Sequence, residues 1–170
     1  MKHNLIYFFI AVSFMLTSCE ELAFRQPMPH DAANLTTFPE ECVGTFVSES
    51  DNKDTLVIYR DSVKDERFIL NEDNIMRKYG KYYIVNQRKR DRWTVAALRP
   101  RGKKGFDIYW FNIEGEKNKN SLSRVTKTVM VQDPETNKEY MLVDPTGREF
   151  DRMLRSRAFQ RKDKFRRIKS

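Results

Sequence analysis

Cysteine and histidine are scarce: the 170 residues hold two of each. A zinc site needs three or four Cys, His or acidic ligands, and Cys42 with His30 cannot supply the usual set. A Ser–His or Cys–His pair would have to use His30, which sits among prolines in QPMPHD. Glycine is also sparse, with six residues, and no G-x-G-x-x-G, G-K-[ST] or G-x-S-x-G occurs. The acids of Glu49-x-Asp51-x-x-Asp54 lack calcium-loop spacing and its central glycine. Asp133, Glu135, Glu139 and Asp144 crowd the last expected hairpin and read as a solvated turn rather than a glycosidase pair. No catalytic residue, metal or cofactor is expected.

Long apolar runs are equally rare. The one at the N-terminus, in MKHNLIYFFIAVSFMLTSCEEL, is polar only at Ser13 and the Tyr7 tip between Leu5 and Leu16. It fits a signal-peptide core and falls short of the roughly 20 residues that span a membrane. It ends in Leu16-Thr17-Ser18-Cys19, the bacterial lipobox pattern, so the chain resembles a lipoprotein precursor. The resemblance implies cleavage before Cys19 and acylation of Cys19. Each buried methylene contributes about 0.8 kcal/mol, so two or three acyl chains hold a protein on a membrane. Residues 1–18 are then a signal peptide. Residues 19–41, with three prolines, are a lipidated cysteine and an extended tether. Residues 42–170 form a single domain, in which Cys42 has no disulfide partner and reads as a small buried hydrophobe.

From residue 42 the chain alternates between β-branched or aromatic runs and polar turns. Strands are expected at 42–48, 55–61, 66–71, 82–87, 93–98, 106–112, 125–132 and 139–143. Turns are expected at 51–53, 80, 88–91, 101–105, 115–120 and 134–138, the Gly102–Gly105 stretch being a hairpin turn rather than a nucleic-acid clamp. Trp93, Val95 and Ala97 share one face of their strand. Phe106, Ile108 and Trp110 share one face of theirs, while Asp107 and Tyr109 point the other way. The fold class is mainly β: an antiparallel meander forming a small barrel or sandwich, lipocalin-like as one option. Thr146 and Glu149 form a T-x-x-E capping box that opens a C-terminal helix at 146–158, followed by a basic tail.

Positive charge is uneven. Residues 20–76 carry 5 Lys/Arg against 13 Asp/Glu, residues 77–104 carry 11 against 1, and residues 146–170 carry 10 against 3. In a meander alternate loops lie at one end, which brings Arg77, Lys78 and Lys81 together with Arg99, Arg101, Lys103 and Lys104.

The segments VGTFVSESDNKDTLVIY, KYYIVNQRKRDRWTVAALRP and EFDRMLRSRAFQRKDKFRRI, placed after a Pro-punctuated tether, resemble a group of small Bacteroidota lipoproteins. The resemblance implies an outer-membrane lipoprotein, on its periplasmic or surface face, and carries no catalytic residues. It also implies O-glycosylation at the Asp-Ser/Thr-aliphatic sites of Thr55 and Ser62. Glu20-Glu21 faintly resembles the acidic export signal of surface lipoproteins.

Together these readings give a lipid-anchored, non-enzymatic accessory or binding module. Its basic end would meet a partner protein or an anionic envelope component such as lipopolysaccharide. Nucleic acid is not expected in that compartment, and the oligomeric state stays open. The alternative is a lipocalin-like carrier with a small apolar ligand among Tyr83, Trp93, Phe106 and Trp110.

Overall fold

The computed structural model describes residues 21–51, 54–64 and 68–168. Cys19, the lipobox and Glu66, the first residue of one expected strand, lie outside them. The chain is mainly β, as the alternation implies. The described strands are β1 (Glu21–Phe24), β2 (Gly44–Ser48), β3 (Thr55–Ile58), β4 (Ser62–Val63), β5 (Phe68–Ile69), β6 (Asn74–Tyr79), β7 (Tyr82–Lys89), β8 (Arg92–Pro100), β9 (Gly105–Phe111), β10 (Thr128–Gln132), β11 (Glu139–Val143) and β12 (Phe159–Arg167). Among the described residues, two α-helices, α1 (Glu116–Ser123) and α2 (Gly147–Met153), and a 3-10 turn at Glu40–Cys42 complete the set.

One path runs β10-β11-β1-β8-β9-β12-β2-β3-β4-β5, with β7 and then β6 joined to β8 as well. The expected meander is present in β6 to β9, where each strand pairs antiparallel with the next. The sheet is not closed, which corrects the barrel option. The reason lies at β8. Between Ala96 and Pro100 it pairs with β9, whereas Trp93 pairs with Phe24 of β1. One strand therefore feeds two diverging arms, and the sheet forks instead of curling round.

Both faces of this sheet are covered. One face carries Ile84, Trp93, Val95 and Ala97, packed with Phe24 of β1, Met28 of the segment after it, Leu122 of α1, and Phe150 and Met153 of α2. The other carries Tyr83, Leu98, Phe106 and Phe165, packed with Phe38, Cys42, Phe46, Ile58 and Phe68. Pleating sends neighbouring residues to opposite faces, so Phe106 and Tyr109 serve different cores, as the alternation predicts.

Three expectations are corrected. Residues 21–41 are not an extended tether. Glu21–Phe24 lie parallel to β11 with Leu22, Ala23 and Phe24 buried, and Met28 and Phe38 are buried further on. The backbone of Met28 is gripped at both ends by the buried Asn86. Met28 N–H donates to Asn86 Oδ1 at 2.6 Å, and Asn86 Nδ2 donates to Met28 O at 2.8 Å. Second, the basic tail is a strand. β12 pairs with β9 and β2, and Phe165 stacks on Phe106 at 5.4 Å. A Cβ on Gly105 would collide with the Phe165 carbonyl, so only glycine lets β12 approach there. Third, the helix ends at Met153 rather than at 158, although its capping box forms as expected. Three further elements fall where no strand or helix was expected: β4, β6 and α1.

Because β1 completes one core, Phe24→Ala should cost about 3–5 kcal/mol in chemical denaturation. Truncating the exposed neighbour Arg25 should cost less than about 0.5 kcal/mol. A free tether would make the two variants indistinguishable.

Candidate functional site

The loops at 79–82 and 100–105 do lie at one end of the β6–β9 meander, but their seven cations divide into two kinds. The arginines are built into the fold. Arg77 Nη1 donates to the Pro27 and Pro29 carbonyls at 2.8 and 2.7 Å, and its Nε donates to Asn34 Oδ1 at 2.8 Å. It fastens the N-terminal segment to β6, and burial lowers its pKa. Arg99 Nη2 donates to Asp107 Oδ2 at 2.6 Å, a bond that raises the Arg99 pKa although desolvation opposes it. Arg101 Nε stands 3.1 Å from Asp107 Oδ1 at an angle too poor for a hydrogen bond, so that contact is ionic. Its Nη2 reaches Glu49 at 3.1 Å and the Phe165 carbonyl at 2.8 Å. Glu49 also meets Lys164 at 2.8 Å, which holds its carboxyl below the usual range.

The four lysines are different. Lys78, Lys81, Lys103 and Lys104 are exposed, and none has an acidic side chain within ion-pair distance among the described residues. Lys78 and Lys81 lie 5.4 Å from the ring centres of Tyr83 and Tyr82, contacts that leave the ammonium in water. Lys103 and Lys104 sit in the turn closed by Arg101 N–H to Gly105 O at 2.8 Å, with Gly102 at positive φ. The resulting end presents unpaired positive charge that an anion can meet without breaking an internal ion pair.

Asp107 is the residue that sequence reasoning missed. It is buried between two arginines on the strand FDIYWF, and an acid alone in that apolar run within reach of a basic block was its signal. The opposite tip of the meander, at 88–92, is compensated. Arg88 meets Asp73 at 3.5 Å, Lys89 meets Glu21 at 2.8 Å, Arg92 meets Asp133 at 2.8 Å, and Arg90 contacts Asp133 and Glu135. Asp133 thus has a structural job. It accepts the Thr136 and Glu135 N–H groups and the Arg92 guanidinium, all of which hold its carboxyl well below the ordinary value.

The four residues of the carrier reading do not share a cavity. Trp93 belongs to one face, whereas Tyr83 and Phe106 belong to the other core, and half-buried Trp110 carries Lys162 over its ring at 4.1 Å. The Tyr83 hydroxyl donates to Glu41, and burial with that bond raises it to about 12. Cys42 is buried, and desolvation pushes its thiol to about 12. Thr55 is exposed at the start of β3, while Ser62 is half-buried and donates to Asp61 at 2.9 Å. Among the described residues no cluster of three His, Cys, Asp or Glu side chains could hold a metal, and no helix is long and apolar enough to cross a membrane.

Compared with known proteins, the chain matches no family model, no curated protein and no solved structure.

Near the β2–β3 turn, Ser48 Oγ and Ser50 Oγ donate to Asp163 at 2.7 and 2.9 Å. Asp54 lies nearby, and burial, then Asp163 and Asp51, raise it from 3.8 to about 6. The folded state therefore holds this proton more tightly than the unfolded chain does. That contribution is fully present below about pH 4 and is lost as pH rises through about 6. Solvent screens the half-buried group, so the effect is on the order of 1 kcal/mol. Asp54→Asn should match the parent in thermal stability near pH 4 and exceed it above pH 7. Equal stability at both pH values would contradict this electrostatic account.

Proposed function

We propose that the chain is a lipid-anchored accessory or binding module of the outer membrane, without catalytic activity. It meets a partner protein or anionic envelope component at the end of its sheet remote from the anchor. The observation that carries this reading is the group of four lysines left unpaired at one end, in a molecule that neutralises its other cation-rich tip.

Chain reach limits how far a lipid on Cys19 would sit from the domain. Cys19 precedes Glu21 by two residues, a span of at most about 7 Å. Glu21 is tied to Lys89, near the β7–β8 tip. Lys103 and Lys104 follow the far end of β8, and nine residues of strand extend roughly 26 Å. A lipid on Cys19 would thus hold the domain close to the headgroups and turn the lysine end away from them. Charge at that end would favour encounter with a separate anionic surface more than with the anchoring leaflet.

The test uses heparin as a polyanion probe and cell fractionation as the anchor assay. Reversing Lys78, Lys81, Lys103 and Lys104 to Glu should weaken heparin binding about tenfold at low salt, since four reversals at about 0.4 kcal/mol each exceed 1.4 kcal/mol. Reversing Lys117, Lys138, Arg148 and Arg157 should leave binding within about twofold. Equal losses in both variants would mean a diffuse charge effect. Cys19→Ala should move the protein out of the membrane fraction, and retention there would contradict lipid anchoring.

A further inference from the structure

Among the described residues the sheet has three edges, β5, β6 and β10, and they are guarded unequally. The β5 edge is two residues long. The β6 edge carries Arg77 and Lys78 and is covered by the N-terminal segment: Leu35 N–H donates to Met76 O at 2.8 Å, and Asn34 bridges to Arg77. Among the described residues the β10 edge has neither protection. Its five residues, TVMVQ, contain no charge and no proline, and β11 is its single sheet neighbour there. Val129 and Met130 are 42% and 46% exposed, on opposite faces of the strand. Folded proteins normally blunt such an edge with lysine, proline, a bulge or a covering segment.

The backbone of β10 points its free groups outward in a self-matching pattern. Asp133 N–H donates to Lys138 O at 2.8 Å, which makes that pair a hydrogen-bonded one. Antiparallel pairs alternate, so Val131 with Tyr140 and Val129 with Leu142 are also hydrogen-bonded. The N–H and C=O groups of Thr128, Met130 and Gln132 are therefore directed to the open edge.

We propose that β10 pairs antiparallel with β10 of a second copy about a twofold axis at Met130, extending the sheet through a dimer. In this register Met130 faces Met130, Val129 faces Val131, and Thr128 faces Gln132. The outward groups fall opposite one another in three hydrogen-bonded pairs, about six bonds in all. Exposed Lys127 of one copy comes opposite Asp133, where the other copy's turn begins; Glu135 in that turn contacts Arg90 yet stays 65% exposed, so it can also meet Lys127, and the twofold repeats the contact. A strand running parallel would place Lys127 beside Lys127 and lose that contact.

The experiment uses the full-length chain in detergent. Sedimentation should give a dimer at roughly 100 µM, the range expected for an interface smaller than the standard size. Met130→Lys, which sets two cations against each other at the axis, should sediment as a monomer with unchanged circular dichroism. Under mild oxidation Met130→Cys should cross-link to itself, since facing hydrogen-bonded residues have Cα atoms about 5.5 Å apart. Lys127→Cys should not, because the two Lys127 sites lie roughly 20 Å apart along the paired strands. A monomer at that concentration overturns the proposal. So does a dimer that survives Met130→Lys, or equal cross-linking at both cysteine positions.

Discussion

Asn86 holds the molecule together by treating a side chain as backbone. Its amide is buried in the centre of β7, and it gives and takes one hydrogen bond with Met28. A buried amide left unpaired costs about 1–3 kcal/mol, so the position is stable only when the N-terminal segment is present. Arg77 repeats the arrangement one turn of chain away, with two proline carbonyls on one nitrogen. These contacts bring residues 24–38 against the meander. β1 can then fill the gap between β8 and β11, and Phe24 can close a core with Phe111 and Phe150. Sequence-distant parts of the chain are thus joined through two side chains in β6 and β7.

The same economy governs the charges. At the basic end, Arg77, Arg99 and Arg101 serve inside the fold, where the guanidinium fork can satisfy carbonyls and carboxylates together, and Lys78, Lys81, Lys103 and Lys104 are left outside as hydrated point charges. Asp107 illustrates the first role. It is nearly inaccessible, and its two guanidinium neighbours link β8 and β9 to Glu49 near β2 and to the carbonyl of Phe165 in β12. Cations used in this way are not available to a partner. What remains exposed is the smaller lysine set, at the ends of strands whose other tip is neutralised.

Much of the fold was legible because period-two alternation is undisturbed in β7, β8, β9 and β11. There each side chain reports its face, and β11 spans the residues expected. The missing elements fail for identifiable reasons. β12 contains a bulge between Arg161 and Asp163, which shifts the alternation by one residue. Phe159 and Phe165, six apart, would share a face in a regular strand. With the bulge they enter opposite cores, and the pattern reads as a frayed basic tail. β1 is four residues long with Pro27 and Pro29 close behind it, too short for any period to show. In β6 the run Arg77-Lys78 looks like a loop, yet Ile75 and Met76 are buried on its two faces. The site was half legible: charge density located the basic end, but composition cannot tell an arginine bonded to carbonyls from a lysine in water.

Residues 21–24 form a structural strand fixed by long-range contacts, and amide hydrogen exchange tests that most directly. The amides of Leu22, Ala23 and Phe24 should exchange only through global unfolding, with protection comparable to Ile84 and Ala97. Exchange of those three amides near the unprotected rate, while β7 and β8 stay protected, would contradict the central role given to the N-terminal strand.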